Sequence, residues 1–554
     1  MRLIRDPWLP AILVVSVSLC VFHLDWGLPN GNASWAADAP GPLTVMNVCW
    51  RSVREFNSGW FWFKYPLGYP LLLAIAYAPY LAWVWLTGGL HGFSTQFPYG
   101  LEDPEHVLYV LAMIGRCVNV LLITTTVALT YGIGRRLLGR RAGLLAAWFA
   151  GTAYPLVYYA HTTNQDAAYL CWLTLALWAA LVASEEGTRR AHVLLGVAAG
   201  MAMATKEQGF AWLLVLPLLL VAGGYQRQPG WHAPWRRIWH SAFNPLTLAG
   251  LAASVVTFAV ASNAIINPLG VWNRIQDLRG YPVPGISARL TPIEFSFFKG
   301  FAKELFYVRQ LVDVLESSFG PALFVAAAAG AGYLVVKRRR AAAWVLIPAA
   351  VYYVLSLRTH DVLVLRYALP LIPVLAVTAA AICAAVWDVR PRIGVVLAAG
   401  LCLVSLGRAV EVDSLLLHDP RYVAERWMRE HAVPGSSVEV YQKLAYLPRL
   451  NGFQVRQVPI AERSVGELLE RRPAYLVVSS AGRKQVTQSW NKNWKETGSL
   501  LGEDAEAAQF LAALEGGELP YRLVAHVAAP SPVLLRSRIT SISPQIWIYA
   551  HQPS

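Results

Sequence analysis

Repeated apolar runs, close in length to a bilayer crossing, are the feature that most constrains how this chain folds. A transmembrane helix needs about 20 mostly apolar residues, and such runs recur along the chain between short polar breaks. Of the 554 residues, 56% are hydrophobic and only 14% are charged, so a membrane is the natural solvent for most of the chain. The sequence therefore predicts a polytopic α-helical membrane protein.

The first predicted helix runs from Trp8 to Phe22, behind Arg2 and Arg5. This run could also be a signal peptide cleaved near Ala37–Asp38–Ala39, but the many apolar runs downstream favour a retained helix. The further apolar segments lie at 106–134, 142–160, 167–183, 191–205, 209–223, 245–265, 320–336, 341–356, 367–387 and 393–411.

Clustered basic residues mark five of the breaks between these segments. The positive-inside rule places such breaks in the cytoplasm, which explains the net charge of +14 without an anionic partner. We therefore expect no nucleic-acid binding. The clusters are Arg135, Arg136, Arg140 and Arg141; Arg189 and Arg190; Arg227, Arg236 and Arg237; Lys337 to Arg340; and Arg390 and Arg392.

One further apolar segment, residues 66–86, complicates the count of crossings. It contains Pro70 and Pro79, and the loop that follows, 88–106, has no Lys or Arg to mark it as cytoplasmic. If this segment crossed, every arginine cluster downstream would lie outside. We therefore predict a juxtamembrane or re-entrant helix on the outer face. This gives about eleven crossings, a cytoplasmic N-terminus and an extracytoplasmic C-terminus, most naturally in the cell membrane.

These assignments divide the chain into two predicted domains. Residues 1–411 form a transmembrane domain with outer loops at 25–104 and 267–319, and the second loop is rich in basic residues. Those residues could contact lipid headgroups or form a lid over an anionic lipid. Residues 412–554 are predicted to form a small extracytoplasmic α/β domain. Its predicted elements are a helix at 419–431 and strands at 437–441, 475–479 and 546–550.

Two solitary aspartates lie in breaks on the predicted outer side. Asp38 stands in the first outer loop, and Asp166 stands at the mouth of a helix within His161–Thr–Thr–Asn–Gln–Asp166. Either carboxylate could be ordinary, because Asp38 suits a solvated turn and Asp166 suits a helix start, where it would satisfy backbone N–H groups. Together on one face they are candidates for acid and base chemistry.

Four cations fall on the same predicted side: Lys64, Arg116, Lys206 and Arg366. Ionisable groups near the bilayer interior are costly unless they face a cavity or a ligand. The alternative for each is a side chain that extends to the headgroups. The four cations are therefore candidates for binding an anionic ligand.

At these positions the chain resembles the GT-C membrane glycosyltransferases, especially the protein O-mannosyltransferase and aminoarabinose-transferase branch. The resemblance covers residues 25 to about 380. It rests on the first outer loop with Asp38, Lys64–Tyr–Pro–Leu–Gly–Tyr–Pro, the turn from Gly134 to Leu144, Asn164–Gln–Asp166, Ala204–Thr–Lys206–Glu, and Arg366–Tyr–Ala–Leu–Pro–Leu. Two positions depart from the family: Ala39 follows Asp38 where an Asp–Glu pair is common, and Lys64 stands where many relatives carry His.

The resemblance implies an inverting transfer of a sugar from a polyprenyl-phosphate donor to a hydroxyl acceptor. Asp38 would be the catalytic base and Asp166 would support the acceptor or the developing charge. Lys64, Arg116, Lys206 and Arg366 would bind the donor phosphate. Lysine and arginine alone can serve a monophosphate leaving group, so the sequence requires no cofactor, although a divalent metal stays open. The alternative is a transporter or flippase of lipid-linked sugars, and neither the sugar nor the acceptor can be read from the residues.

Overall fold

The computed structural model describes residues 6–36, 39–54, 65–92, 94, 96–227, 234–279, 281, 300–359, 363–458, 464–481, 505–537, 539 and 541–552. Their contacts divide the chain into two compact units. The first unit comprises Met1–Leu24, Pro40–Val412 and Leu534–Arg538. The second unit comprises Asp25–Ala39, Asp413–Val533 and Ile539–Ser554.

In the part that the structure describes, the first unit consists mainly of helices, with an isolated β-bridge between Leu90 and Leu101. Its helices are α1 Trp8–Val21, α2 Pro42–Arg54, α3 Gly68–Leu86, α4 Pro104–Leu138, α5 Arg140–Gly151, α6 Tyr154–Ala160, α7 Asp166–Glu186, α8 Arg189–Thr205, α9 Phe210–Leu213, α10 Leu216–Arg227, α11 Pro234–Ala242, α12 Pro245–Ala261, α13 Pro268–Leu278, α14 Phe301–Phe319, α15 Pro321–Lys337, α16 Arg339–Leu355, α17 Leu365–Ala368, α18 Ile372–Val389 and α19 Pro391–Leu417. Short 3-10 turns lie at Glu207–Gly209, Leu357–Thr359 and Leu369–Leu371.

Each apolar segment predicted from the sequence is helical, but several segments are broken. Residues 142–160 divide into α5 and α6 around Thr152, and residues 209–223 divide into α9 and α10. Within the described residues, six helices are long and apolar enough to cross a membrane, or seven if the bent pair α14 and α15 forms one span. The count of eleven crossings stays a prediction.

The segment 66–86 forms the continuous helix α3, with Pro79 inside it. Its 19 residues place it among the helices that could cross by length and composition. Length therefore does not decide between a crossing and a re-entrant helix, and the orientation that follows from this segment also stays a prediction.

The first unit is organised around α7, most of which is buried. Helices pack closely where side chains are small: a Cβ atom added to Gly196 of α8 would lie 2.0 Å from the carbonyl oxygen of Gly250 in α12. Such small residues let helix backbones approach when both surfaces are apolar. The contact fixes α8, and with it the residues that follow α8.

Four of the five arginine-rich breaks meet at one end of the helical unit. Arg136 and Arg340 both contact the carboxylate of Glu185, at 2.5 Å and 2.9 Å, and Arg141 contacts Asp388 at 2.8 Å. Arg140 lies 2.6 Å from Asp6, and this hydrogen bond lowers the pKa of Asp6 to about 2. These contacts agree with the prediction that the breaks share one side of the membrane.

The second unit contains a five-stranded mixed sheet in the order β2-β1-β3-β5-β4. β1 is parallel to β2 and β3, while β5 is antiparallel to β3 and β4. Both faces of the sheet carry apolar side chains that pack against helices. The elements are β1 Ser437–Val440, β2 Gln454–Gln457, β3 Tyr475–Ser479, β4 Tyr521–Val527, β5 Ile546–His551, α20 Pro420–His431, α21 Val465–Arg471 and α22 Ala505–Gly516.

A segment of the first outer loop belongs to this second unit. The indole of Trp26 donates a hydrogen bond to Asp419 over 3.1 Å, and Asp419 forms a fully buried ion pair with Arg421 at 2.7 Å. The Arg421 guanidinium carbon lies 4.3 Å from the ring centroid of Trp35. Cations over indole faces are attracted to them, so residues 26–35 are held by side chains of the C-terminal residues.

We predict that the loop before α4 and the C-terminal unit are both extracytoplasmic. An impermeant maleimide applied to intact cells should therefore label Glu102→Cys and Glu430→Cys, both at exposed positions, and should not label Arg190→Cys until the cells are opened. The parent chain with its native cysteines provides the baseline. Labelling of Arg190→Cys with protection of Glu102→Cys would mean that α3 crosses the membrane.

Candidate active site

The break at 161–166 is a buried polar turn held by an asparagine of α4. The amide nitrogen Nδ2 of Asn119 donates to the carbonyl oxygens of Thr162 and Asn164 over 2.7 Å and 2.9 Å. The hydroxyl of Tyr69 donates to the side-chain oxygen Oδ1 of Asn119 over 2.9 Å. The backbone N–H of Asp166 donates to the Asn164 side chain over 2.8 Å. These bonds satisfy polar groups that burial would otherwise make costly.

Asp166 is the first residue of α7, and its carboxylate forms an ion pair with Lys206. The Nζ atom of Lys206 lies 2.7 Å from Oδ1 of Asp166, and both side chains are only 2% exposed. Lys206 follows the last residue of α8 in an extended conformation, with φ −158° and ψ 121°. The structure therefore brings together two residues that are 40 positions apart and that the sequence predicted separately.

Three tyrosine rings surround the Lys206 ammonium group. Its Nζ atom lies 4.7 Å from the ring centroid of Tyr367, 5.6 Å from that of Tyr169 and 5.7 Å from that of Tyr65. Aromatic faces attract cations most strongly where water is excluded. The three rings therefore attract the ammonium group, which also donates one N–H to Asp166.

Arg366 joins the same cluster through Tyr367. Its guanidinium carbon lies 5.2 Å from the Tyr367 ring centroid, and Nη2 donates to the Tyr367 hydroxyl over 3.4 Å. Arg366 lies in the short helix α17 and is half-buried. Two of the cations predicted to bind phosphate thus contact one aromatic ring.

Arg116 lies in α4 and is 1% exposed. Its Nη1 atom donates to the carbonyl oxygen of Leu24 over 2.5 Å, where the first outer loop begins. This contact places the Arg116 side chain at the start of the first outer loop. Its role in phosphate binding stays a prediction.

The other two predicted residues, Asp38 and Lys64, lie outside the described residues. Two residues close to them in the sequence are described, Tyr65 next to Lys64 and Pro40 two residues after Asp38. Tyr65 packs against Lys206, and the carbonyl oxygen of Pro40 accepts a hydrogen bond from Thr163 over 2.8 Å.

An apolar cavity of about 330 Å³ adjoins the cluster. Tyr65 lines the cavity and also faces Lys206. At its polar end Arg274 donates from Nε to Glu207 over 2.7 Å. The apolar wall consists of Pro66, Leu67, Met203, Phe210, Phe258, Val271, Ile275 and Leu278.

Sequence reasoning did not find the three tyrosines, Glu207 as a partner of Arg274, or Thr163. Tyrosine is frequent in this chain, with 24 copies, so no single tyrosine stands out by its type. Thr163 lies three residues before the candidate Asp166, and this proximity is the one signal that could have drawn attention to it. Among the described residues, no group of three or more His, Cys, Asp or Glu could hold a metal ion.

Residues 111–262 match the model of a known family, the dolichyl-phosphate-mannose-protein mannosyltransferases. The resemblance to the GT-C glycosyltransferases is thereby confirmed. The matched range contains Arg116, Asp166 and Lys206, so three of the candidate residues lie in the part that the family shares. No curated protein sequence matches the chain at a significant level.

Several solved structures of membrane glycosyltransferases are similar to this chain at low identity. The Archaeoglobus fulgidus oligosaccharyltransferase has 14% identity and a TM-score of 0.46, with 98% of this chain and 88% of that chain covered. ArnT from Cupriavidus metallidurans, bound to undecaprenyl phosphate, has 14% identity and a TM-score of 0.41, with 98% of each chain covered.

We predict that the ion pair makes the two charges interdependent. Either Asp166→Asn or Lys206→Met alone leaves one buried charge without its partner, which typically destabilises a protein by about 3–5 kcal/mol. The double variant removes both charges and should recover most of that loss. Thermal unfolding of the purified protein in detergent measures the three variants.

Lys337→Met, at an exposed position at the end of α15, is the matched control and should unfold like the wild type. Single variants with wild-type unfolding temperatures would contradict a buried charged pair. A double variant that is stable but inactive would show that the pair serves the site as well as the fold.

Proposed function

We propose that this chain is an inverting glycosyltransferase that moves a sugar from a polyprenyl-phosphate donor to a hydroxyl acceptor on the extracytoplasmic face of the membrane. The observation that carries the proposal is the buried Asp166–Lys206 pair, whose tyrosine neighbour Tyr367 also contacts Arg366. It supports the proposal because it places a carboxylate and two cations in one cluster, within a helical unit that resembles such enzymes.

The cations suit a phosphate leaving group. An ammonium group has three N–H donors, and Asp166 takes one from Lys206, which leaves donors for a phosphate oxygen. Arg366 adds a planar guanidinium that can bind two oxygens at once. Stabilising the charge that develops on the departing phosphate lowers the barrier to breaking the bond between the sugar and the phosphate.

The cluster also lies at the end of α7 opposite to the arginine-rich breaks. Asp166 begins α7 and Glu185 lies near its end, and at 1.5 Å per residue such a helix is about 30 Å long. If the arginine breaks are cytoplasmic, the cluster faces the outer side. This placement supports a reaction that uses a donor in the outer leaflet.

The apolar cavity beside Tyr65 suits the lipid part of the donor. Its wall is formed by aliphatic and aromatic side chains, and its polar end lies beside Glu207 and Arg274. We infer that the prenyl units next to the phosphate lie in this cavity while the phosphate faces Lys206 and Arg366.

Asp38 remains our candidate for the base that takes the acceptor proton. Asp38 stands two residues before Pro40 in the chain, and the Pro40 carbonyl accepts a hydrogen bond from the break that leads to Asp166. In the reaction the acceptor oxygen attacks the anomeric carbon, its proton passes to Asp38, and the polyprenyl phosphate leaves from the opposite face. A single displacement of this kind inverts the anomeric centre.

The test of this function is single-turnover transfer by the purified wild type and its Asp38→Asn variant. Polyprenyl monophosphates that bear mannose, arabinose or aminoarabinose serve as donors, with envelope material from cells that lack the protein as the acceptor source. We expect the wild type to release free polyprenyl phosphate from one donor. Asp38→Asn should be slower by about 10² to 10⁴-fold, the usual contribution of a positioned base.

Glu102→Gln, at an exposed position in the same outer loop, should keep the wild-type rate. A protein that moves the labelled donor across the bilayer without releasing polyprenyl phosphate would be a transporter, and the proposal would be wrong. Transfer by Asp38→Asn within about threefold of the wild-type rate, far less than a positioned base contributes, would remove Asp38 from the mechanism.

We also predict that Lys64, Arg116 and Arg366 bind the donor phosphate. Replacing any of them with a neutral residue should weaken donor binding about 10- to 100-fold, because a hydrogen bond to a charged group contributes roughly 1.5–3 kcal/mol. Arg116→Lys should restore binding only in part, since an ammonium lacks the guanidinium fork. Binding of a fluorescent polyprenyl phosphate measures this, with Arg392→Gln, at an exposed position at the start of α19, as the control. Wild-type affinity in all three neutral variants would assign these cations to lipid headgroups.

A further inference from the structure

The carbonyl groups of Phe22 and Pro40, which flank the Asp38 loop in the chain, both contact the break that leads to Asp166. Nε2 of His161 lies 2.7 Å from the carbonyl oxygen of Phe22. The hydroxyl of Thr163 donates to the carbonyl oxygen of Pro40 over 2.8 Å. His161 and Thr163 are separated by a single residue of the chain, Thr162.

His161 and Thr163 are themselves held in place by the residues around them. His161 is fully buried and Thr163 is 5% exposed. Their turn is bonded to Asn119 of α4 through the carbonyls of Thr162 and Asn164. Gly115, also in α4, leaves room for the Thr163 methyl group, because a Cβ atom at Gly115 would lie 2.7 Å from it.

The sequence positions give these contacts a consequence for catalysis. Pro40 is two residues after Asp38, and Thr163 is three residues before Asp166. A hydrogen bond between Pro40 and Thr163 therefore joins the loop of the proposed base to the start of α7. Displacing a catalytic base by about 1 Å can slow a reaction about 10²-fold. Loss of this hydrogen bond is therefore expected to slow the reaction.

We propose that His161 and Thr163 are positioning residues that hold the carbonyl groups of Phe22 and Pro40, which flank the Asp38 loop in the chain. This inference rests on the proposed function, because it takes Asp38 as the base. It assigns His161 and Thr163 no contact with the donor or the acceptor, so they act through Asp38.

The hydroxyl of Thr163 is tested with a pair of variants. Thr163→Val keeps the shape and removes the donor, while Thr163→Ser keeps the donor. We expect Thr163→Val to lower kcat about 10- to 100-fold with an unchanged KM for the donor, and Thr163→Ser to restore most of kcat. Thr174→Val is the matched control, since Thr174 is a buried threonine of α7 whose hydroxyl bonds the carbonyl of Leu170 in its own helix.

A second pair of variants tests the imidazole of His161. Its Nδ1 atom also lies 2.8 Å from the carbonyl oxygen of Val157. Asparagine places its amide near Nδ1 and cannot reach Phe22, whereas glutamine reaches the position of Nε2. We expect His161→Asn to lower kcat and His161→Gln to restore it in part.

The decisive measurement is a double-mutant cycle with Asp38→Asn. If Thr163 acts through Asp38, Thr163→Val should slow the wild type about 10-fold or more and leave Asp38→Asn at the same low rate. Independent effects would instead multiply. The donors are the polyprenyl monophosphate sugars used above, and unfolding temperatures in detergent show whether each variant is folded.

The outcomes separate this inference from the proposed function. Wild-type kcat in folded Thr163→Val and His161→Asn, with an impaired Asp38→Asn, would overturn the positioning role alone. The positioning role would also be overturned if Thr163→Val slowed Asp38→Asn as much as it slows the wild type. An unimpaired Asp38→Asn would overturn both the assigned base and the role of its loop.

Discussion

The pairing of Asp166 with Lys206 is the interaction on which the site depends. Each charge alone would be strongly destabilised in a helical interior, because burial removes the water that solvates it. Together they require that α7 begin and α8 end at one place. The tyrosine rings around Lys206 complete this place and connect it to Arg366. The cluster proposed to bind the donor and the contact that fixes α7 against α8 are thus formed by the same residues.

The turn before α7 extends this organisation to the first outer loop. Asn119 satisfies two carbonyls of the turn, and this leaves the side chains of His161 and Thr163 to bond carbonyls of other segments. A short polar break inside an apolar unit can therefore serve several partners at once. Each of these hydrogen bonds is modest in net free energy, but burial makes every one of them costly to lose.

The second unit uses buried charge in a different setting. Arg421 is held by Asp419 and lies over Trp35, and Arg471 pairs with Glu439 of β1. Burial and the Glu439 carboxylate raise the pKa of Tyr441 above its usual value. This unit includes residues 25–39, and within that range Trp26 and Trp35 contact Asp419 and Arg421. The C-terminal residues thereby have a structural role in the first outer loop.

The sequence by itself located the long apolar helices, three of the five strands that the structure describes, and the charged residue types of the site. Apolar length located the long helices, and short strand-like runs located β1, β3 and β5, because both signals are local in the chain. Isolated charges in apolar surroundings also singled out Asp166, Lys206 and Arg366. Only the tertiary structure decided that Asp166 pairs with Lys206, that Tyr367 joins Lys206 to Arg366, and that Thr163 bonds Pro40. These contacts join residues that are distant in the chain, and no local pattern encodes which buried polar groups meet once the helices have packed.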